Sequence, residues 1–485
     1  MAAEPVIPSD LAVVGAGAAG LYAALSAASA GASVTLVSAT PLAQTASYWA
    51  QGGIAAVLAV DDSFERHLAD TEAAGRDLVR RAAAQVLVRE APGCVHHLER
   101  MGVRFDADRR GVLALGLEGG HSVRRVVHAG GSATGRRVVR QLSALVVDEP
   151  RITVLEGARA TAAWIRDGRC AGVALEHGRA VAARATILAT GGAAALWSRT
   201  TNPPGSLGIG MSIAHAAGAD LADLEFLQFH PTAVTGVAGR EGFLVTEAIR
   251  GEGATLHGPD GERFIEELAP RDEVARAIAA LLQRSGATSV GLDMRGVDPA
   301  LFPNVVSALQ DAGLDPTREP IPVSPAAHYM MGGVVTDLHG RTSVRGLYAV
   351  GETACTGLHG ANRLASNSLS ECFVYGARAA RAGLDEPAPA ADAGSPPPAP
   401  ALQRPARSTQ EALWRDAGIV RTRDGLERLG SDPHPLARLV AACALRREES
   451  RGAHQRADFP SVDPALDHRH SVVGADERPS MPRWT

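Results

Sequence analysis

His230 in QFHPT, Arg271 in APRDEV, His328 in AAHYM and Arg363 in GANRL are cation-capable side chains spread along the middle of a long chain. A guanidinium fork binds a carboxylate through paired N–H groups, and an imidazole adds one directed donor. Two of each suit a dicarboxylate of about four carbons, gripped at both ends. Taken singly, each has a plainer role: a structural histidine, an Arg271 paired with Asp272 or Glu267, an Arg363 closing a loop. A further stretch, LEGGHS, sets Glu118 beside Gly119 and Gly120 with no helical or strand periodicity. That acid is either a solvated turn residue or the group that selects the substrate.

Such a cluster needs a rigid frame and a reaction partner. Gly15-x-Gly17-x-x-Gly20 follows an apolar run, LAVV, and precedes LYAALSAASAG, so it reads as strand, tight turn and helix. In that context the glycines let backbone amides approach a pyrophosphate at the positive end of a helix. The acid usual after the second strand is missing, since Ser38 and Ala39 follow Val37. Gln51-Gly52-Gly53 and Thr190-Gly191-Gly192 place small residues where backbone comes close to something flat. Val350-Gly351-Glu352 ends a late strand with an acid able to hold a ribityl or ribose hydroxyl. These separated segments favour a flavin over a nicotinamide.

The elements that carry these residues define an α/β chain: a discontinuous Rossmann-like FAD-binding domain with an inserted α+β capping domain and a C-terminal helical domain. The expected division is 1–222 for the first part of the FAD-binding domain, 223–330 for the capping or substrate domain and 331–385 for the second part. A Pro/Ala-rich linker follows over 386–407, then the helical domain over 408–485. Residues from Ile152 to Thr190 read as short antiparallel strands turned at Asp167-Gly168 and His177-Gly178. Ser408 with Glu411 has the spacing of a capping box.

Composition narrows the partners. With 485 residues, 46% hydrophobic, 21% charged and a formal charge of −5, the chain lacks the positive surplus of a nucleic-acid binder. Lys is absent, so every cationic chain is Arg or His. Cys94, Cys170, Cys355, Cys372 and Cys443 show no CxxC spacing, so no metal or cluster site is assigned. The start, MAAEPVIPSD, has no basic region ahead of an apolar run, and no apolar stretch of about 18 residues occurs later. No membrane contact is expected, and a reducing cytoplasmic setting fits.

GAGAAGL, YWAQGGIAAV, ATILATGG, EFLQFHPTA, LVTEAIRGEGA, LAPRDEVARAI, PAAHYMMGGV and TGLHGANRLASNSLSEC occur in this order. Together they resemble the L-aspartate oxidase branch of the succinate dehydrogenase and fumarate reductase flavoprotein family. The resemblance runs from about residue 10 to 380 and returns at GIVRT and RREESRGAH. It implies FAD, with Gly15, Gly17, Ala18, Ala19, Gly20, Gln51, Gly52, Gly53, Glu352, Ser368 and Leu369 as contacts. Respiratory members link their flavin to a histidine shortly before AQGG; here no His precedes His67, which implies non-covalent binding.

The same resemblance assigns Arg363 and His328 to one substrate carboxylate, His230 and Thr246 to the other, and Arg271 to the carbon that exchanges hydride. Glu118 then accepts hydrogen bonds from an α-amino group, where members acting on succinate or fumarate carry a neutral residue. The implied reaction oxidises L-aspartate to iminoaspartate, with O2 (giving H2O2) or fumarate reoxidising the flavin. It is the first step of de novo NAD synthesis, with the product handed to quinolinate synthase. Alternatives are a soluble fumarate reductase or succinate dehydrogenase-type flavoprotein, and a catalytically weak flavin-binding relative. The departure Gly208-Ile209-Gly210, where the family has an acid between two glycines, motivates the last.

Overall fold

The apolar run at the start forms the strand Val6–Val14, whose last residues, Leu11 to Val14, are fully buried in a computed structural model of the chain that describes residues 6–388, 396–397 and 404–484. It pairs in parallel with Val34–Ser38 on one side and Ala180–Leu188 on the other. Ala180–Leu188 pairs in parallel with the late strand Leu347–Ala349, so residues far apart in sequence complete one sheet. The helices Ala18–Ser29 and Asn367–Leu384 pack together with the inner strands around Leu11, Tyr22, Ile187 and Phe373. A sheet covered in this way reads as continuous apolar runs rather than alternation, which is the pattern of LAVV and ATIL.

Two strands, Ala160–Arg166 and Arg169–Leu175, form an antiparallel hairpin turned by Asp167 and Gly168, both at positive φ. Ile152–Glu156 departs from the expected antiparallel set. It joins Val34–Ser38 in parallel, since the helix Thr134–Asp148 carries the chain back to the same end of the sheet.

The middle block builds a second sheet from Leu227–Val234, Ile321–Met330, Val290–Asp293 and Thr255–His257, all antiparallel. It has its own apolar cluster, including Val234, Ile249, Leu292 and Ile321, against the helix Arg271–Ser285.

Helices Arg407–Asp416, Arg423–Leu429 and Pro435–Arg446 follow the tract 386–407, most of which lies outside the described residues. The expected capping box does not form. The first of these helices already includes Ser408, and Glu411 instead accepts from Arg407 at 2.9 Å. The expected helical character also stops at Arg446. Beyond it the chain is largely irregular, ending with Val472–Val473 paired against Leu221–Ala222. Buried charge explains this: Arg447 bonds Glu225 at 2.7 Å and Glu449 at 2.9 Å, and His470 bonds Asp223 at 2.6 Å. Satisfying these groups takes a winding backbone, which a regular helix cannot supply.

Candidate active site

A cavity of about 1050 Å³ runs from the first glycine turn to the second sheet. At one end Gly15 adopts φ +111°, and a side-chain carbon there would collide with the Ala189 carbonyl. Gly17 caps the helix Ala18–Ser29 in extended conformation without a side-chain bond, leaving helix amides open to a ligand. Gln51, Gly52 and Gly53 line the next section, where a side chain on Gly53 would strike the Val127 carbonyl. Gln51 donates to the Leu244 carbonyl at 2.8 Å, and its buried Oε1 has no hydrogen-bond partner among the described residues. Ala18, Ala19, Glu352, Ser368 and Leu369 line the same cavity.

Gly20 does not line the cavity. It is buried within the helix, where a side chain would collide with the Gly15 carbonyl, so it serves the close approach of helix to turn. Ile209 lines the wall between Gly208 and Gly210, and the Gly210 amide donates to Thr190 Oγ1 at 3.0 Å; the turn keeps its shape without an acid.

Glu352 is partly buried, and its Oε1 accepts from the Met330 amide at 2.9 Å. Burial pushes this carboxyl up to about 7. An open glycine turn at a helix N-terminus, an orphaned amide oxygen and a cavity-lining acid together fit FAD.

Beyond the glycine turns lie the six chemical candidates Glu118, His230, Thr246, Arg271, His328 and Arg363, all lining the cavity. His230 and His328 sit on the adjacent strands Leu227–Val234 and Ile321–Met330, their ring centroids 5.1 Å apart. Their cationic character does not hold. Burial pushes His230 well below its ordinary range, reinforced by Arg271, Arg250 and Arg363; burial and the neighbouring His230 and guanidiniums do the same to His328. Both rings are therefore neutral donors. The Thr232 amide donates to Nδ1 of His230 at 3.3 Å, which leaves its proton on Nε2. His328 Nδ1 meets Thr201 Oγ1 at 2.8 Å.

Arg271 opens the helix Arg271–Ser285; its Nε donates to Glu247 at 2.5 Å and its Nη1 to Gln228 Oε1 at 3.2 Å. Arg363 donates to the same Gln228 oxygen at 3.1 Å and to Ser368 at 2.6 Å, and lies 4.3 Å over the Tyr329 ring. The amide nitrogen of Gln228 donates to Asn362 and the Arg363 carbonyl, so its oxygen has one orientation, facing both guanidiniums. Burial, with the nearby Arg271 charge, lowers Arg363 to about 10, and its Nε has no hydrogen-bond partner among the described residues. That unmatched positive group is an invitation to an anion.

Glu247 was not singled out by spacing, yet it is buried between Arg271 and Arg250. Burial raises its carboxyl, but the two guanidiniums outweigh this and hold it at about 2. The Gly119 amide donates to its other oxygen at 3.0 Å, and a side chain on Gly119 would strike that oxygen. The glycines of LEGGHS are thus structural, while Glu118 faces the cavity. Burial raises Glu118 too, but His128, Ser366 and the charge of Arg271 together hold it below the ordinary carboxylate value. Gln228 and Glu247 both stand inside quoted motifs, EFLQFHPTA and LVTEAIRGEGA; their roles come from their partners rather than their type.

Comparison with known families now bears on this geometry. Residues 10–369 match the family model described as FAD binding domain, and residues 431–483 match that of Fumarate reductase flavoprotein C-term. Fold and site define a flavin-dependent oxidoreductase. An L-aspartate oxidase of Streptomyces coelicolor is 42% identical over 96% of this chain and 91% of its own; one of Caulobacter vibrioides is 46% identical over 93% and 94%. A quinol fumarate reductase of E. coli superposes with a TM-score of 0.88 at 30% identity, covering 98% of this chain and 96% of that one. The chain belongs to the L-aspartate oxidase family.

Proposed function

We propose that the protein oxidises L-aspartate to iminoaspartate with FAD, and that O2, giving H2O2, or fumarate, giving succinate, takes the electrons. When bound, FAD would supply the two-electron acceptor. Arg363 and the neutral His328 hold one carboxylate; His230, through Nε2–H, and Thr246 hold the other. Gln228 keeps both guanidiniums in register, so the substrate meets forks already aligned.

Glu118 receives the α-amino group. Its negative charge stabilises the cation that develops along Cα–N as hydride leaves, a charge that succinate never develops. Arg271 lies on the route of proton movement, since its Nε is bonded to Glu247 and Arg250 lies 3.7 Å from that carboxylate. The charged Glu118 carboxylate in one cavity with Arg271 and Arg363, close enough to interact electrostatically with both, is the observation that carries the reading.

FAD is held without a covalent bond; the histidines lining the cavity are His230 and His328, both engaged in the substrate wall. Acid precipitation should leave the yellow colour in solution, and colour in the pellet would overturn this. No helix among the described residues is long and apolar enough to cross a membrane. A cytoplasmic setting and a place at the start of NAD synthesis belong to the proposal. Hand-off of the imine to quinolinate synthase, and the division at 222, 330, 385 and 407, belong to the same proposal. The separate four-stranded sheet built within the middle block supports setting that block apart. Aspartate-dependent H2O2 formation by purified protein, with none from succinate, tests the reaction; the reverse pattern would make it a succinate-oxidising flavoprotein.

A further inference from the structure

Glu118 has more support than its proposed role uses. Its Oε2 accepts from the Ser366 hydroxyl at 2.6 Å, and that hydroxyl oxygen accepts from the Gly53 amide at 3.1 Å. One carboxylate oxygen is therefore tied to the turn beneath the cofactor. The other, Oε1, meets Nε2 of His128 at 3.3 Å. The His128 side chain is 18% exposed and that of Glu118 only 4%, so the imidazole is the outer partner of the pair. Gly116 makes room for it: a side-chain carbon there would lie 2.7 Å from ring Cε1 and 3.1 Å from Nδ1. Gly116 pairs across the strands with Val126, two residues before His128, so backbone register places glycine beside imidazole.

We propose that His128 is a positioning residue for substrate selection: it anchors Oε1 so that the remaining lone pairs of Glu118 face the amine of an amino dicarboxylate. This rests on the reading of Glu118 as amine acceptor. A carboxylate tied at one oxygen still turns about its broad terminal torsion. A second tie stops that rotation and leaves about two acceptor sites for the substrate. A dicarboxylate without nitrogen has no N–H to offer and is indifferent to it.

Side-chain length gives a sharp test. His128→Gln puts an amide nitrogen near the place of Nε2 and reaches Glu118; His128→Asn, one carbon shorter, does not. Gly116→Ala keeps the imidazole but displaces it. Each variant, loaded with FAD, is assayed for aspartate oxidation and for fumarate reduction by a reduced dye, and its FAD affinity is measured. His128→Asn and Gly116→Ala should raise the aspartate KM roughly 5- to 20-fold, as expected for one lost charge-assisted bond. The fumarate KM and FAD affinity should stay within about twofold, and His128→Gln should restore near-parental aspartate KM. Equal rises for both substrates, or an unchanged aspartate KM in both His128→Asn and Gly116→Ala, would overturn the inference. If His128→Asn fails to fold, Gly116→Ala decides by the same comparison. A parent enzyme inactive on aspartate overturns the underlying reading and this inference with it.

Discussion

In the proposed reaction Glu118 is the group that separates two substrates of nearly the same shape. Replacing it by Gln keeps its size and removes the charge, so aspartate oxidation should fall roughly 10- to 100-fold while fumarate reduction changes by less than about threefold. Steady-state kinetics on the two reactions check this, and equal losses would remove Glu118 from the amine site. Arg363→Leu strips a buried cation from the wall and should raise the aspartate KM at least about 30-fold with FAD still bound, read by kinetics and by flavin absorbance. The cation-capable residues gathered on one cavity were legible from sequence, because Arg and His in flanking motifs announce their chemistry. Gln228, Glu247 and His128 were not, since each acts through a neighbour hundreds or tens of positions away. Nor was the neutrality of the two histidines legible, because burial beside guanidiniums is a property of the folded site.

At the scale of elements, the turn from the first strand into the first helix is the part most constrained by backbone. Gly15→Ala forces a side chain into φ +111° and against the Ala189 carbonyl. Stability should drop by about 1–3 kcal/mol, and FAD affinity at least about tenfold, measured by thermal unfolding and by fluorescence titration. This element was legible because strand, glycine turn and helix are contiguous and each carries its own periodicity. The parallel pairing of Ile152–Glu156 was not, because strand direction depends on a partner more than a hundred residues away. The capping box at Ser408 failed for a local reason: the helix begins two residues earlier, with Ala406 at its cap, and Arg407 takes Glu411 for itself.

Across the whole molecule, the C-terminal segment is welded to the rest by buried ion pairs. Arg447, with no exposed side-chain surface, holds Glu225 of the middle block and Glu449 of its own segment. Arg447→Leu leaves two buried acids short of a partner, so unfolding in urea should show a loss of about 3–5 kcal/mol, far more than a surface Arg. The motif RREESRGAH was visible in sequence, but its use as a clamp needed the three-dimensional neighbours.

Stability also carries a pH signature. Burial raises Glu352 from its ordinary value of 4.5 to about 7, so the folded apoprotein binds a proton that the unfolded chain has released in that window. Stability of the apoprotein therefore falls as pH rises from 4.5 to about 7, by at most about 3 kcal/mol. Glu352→Gln should flatten that slope in thermal unfolding of the FAD-free protein.

Anaerobic mixing of the FAD-loaded protein with aspartate, succinate or glutamate, followed by flavin absorbance, tests the central claim most directly. Aspartate should bleach the flavin promptly, and succinate and glutamate should not do so at a comparable rate. Bleaching by succinate with aspartate inert would contradict that claim.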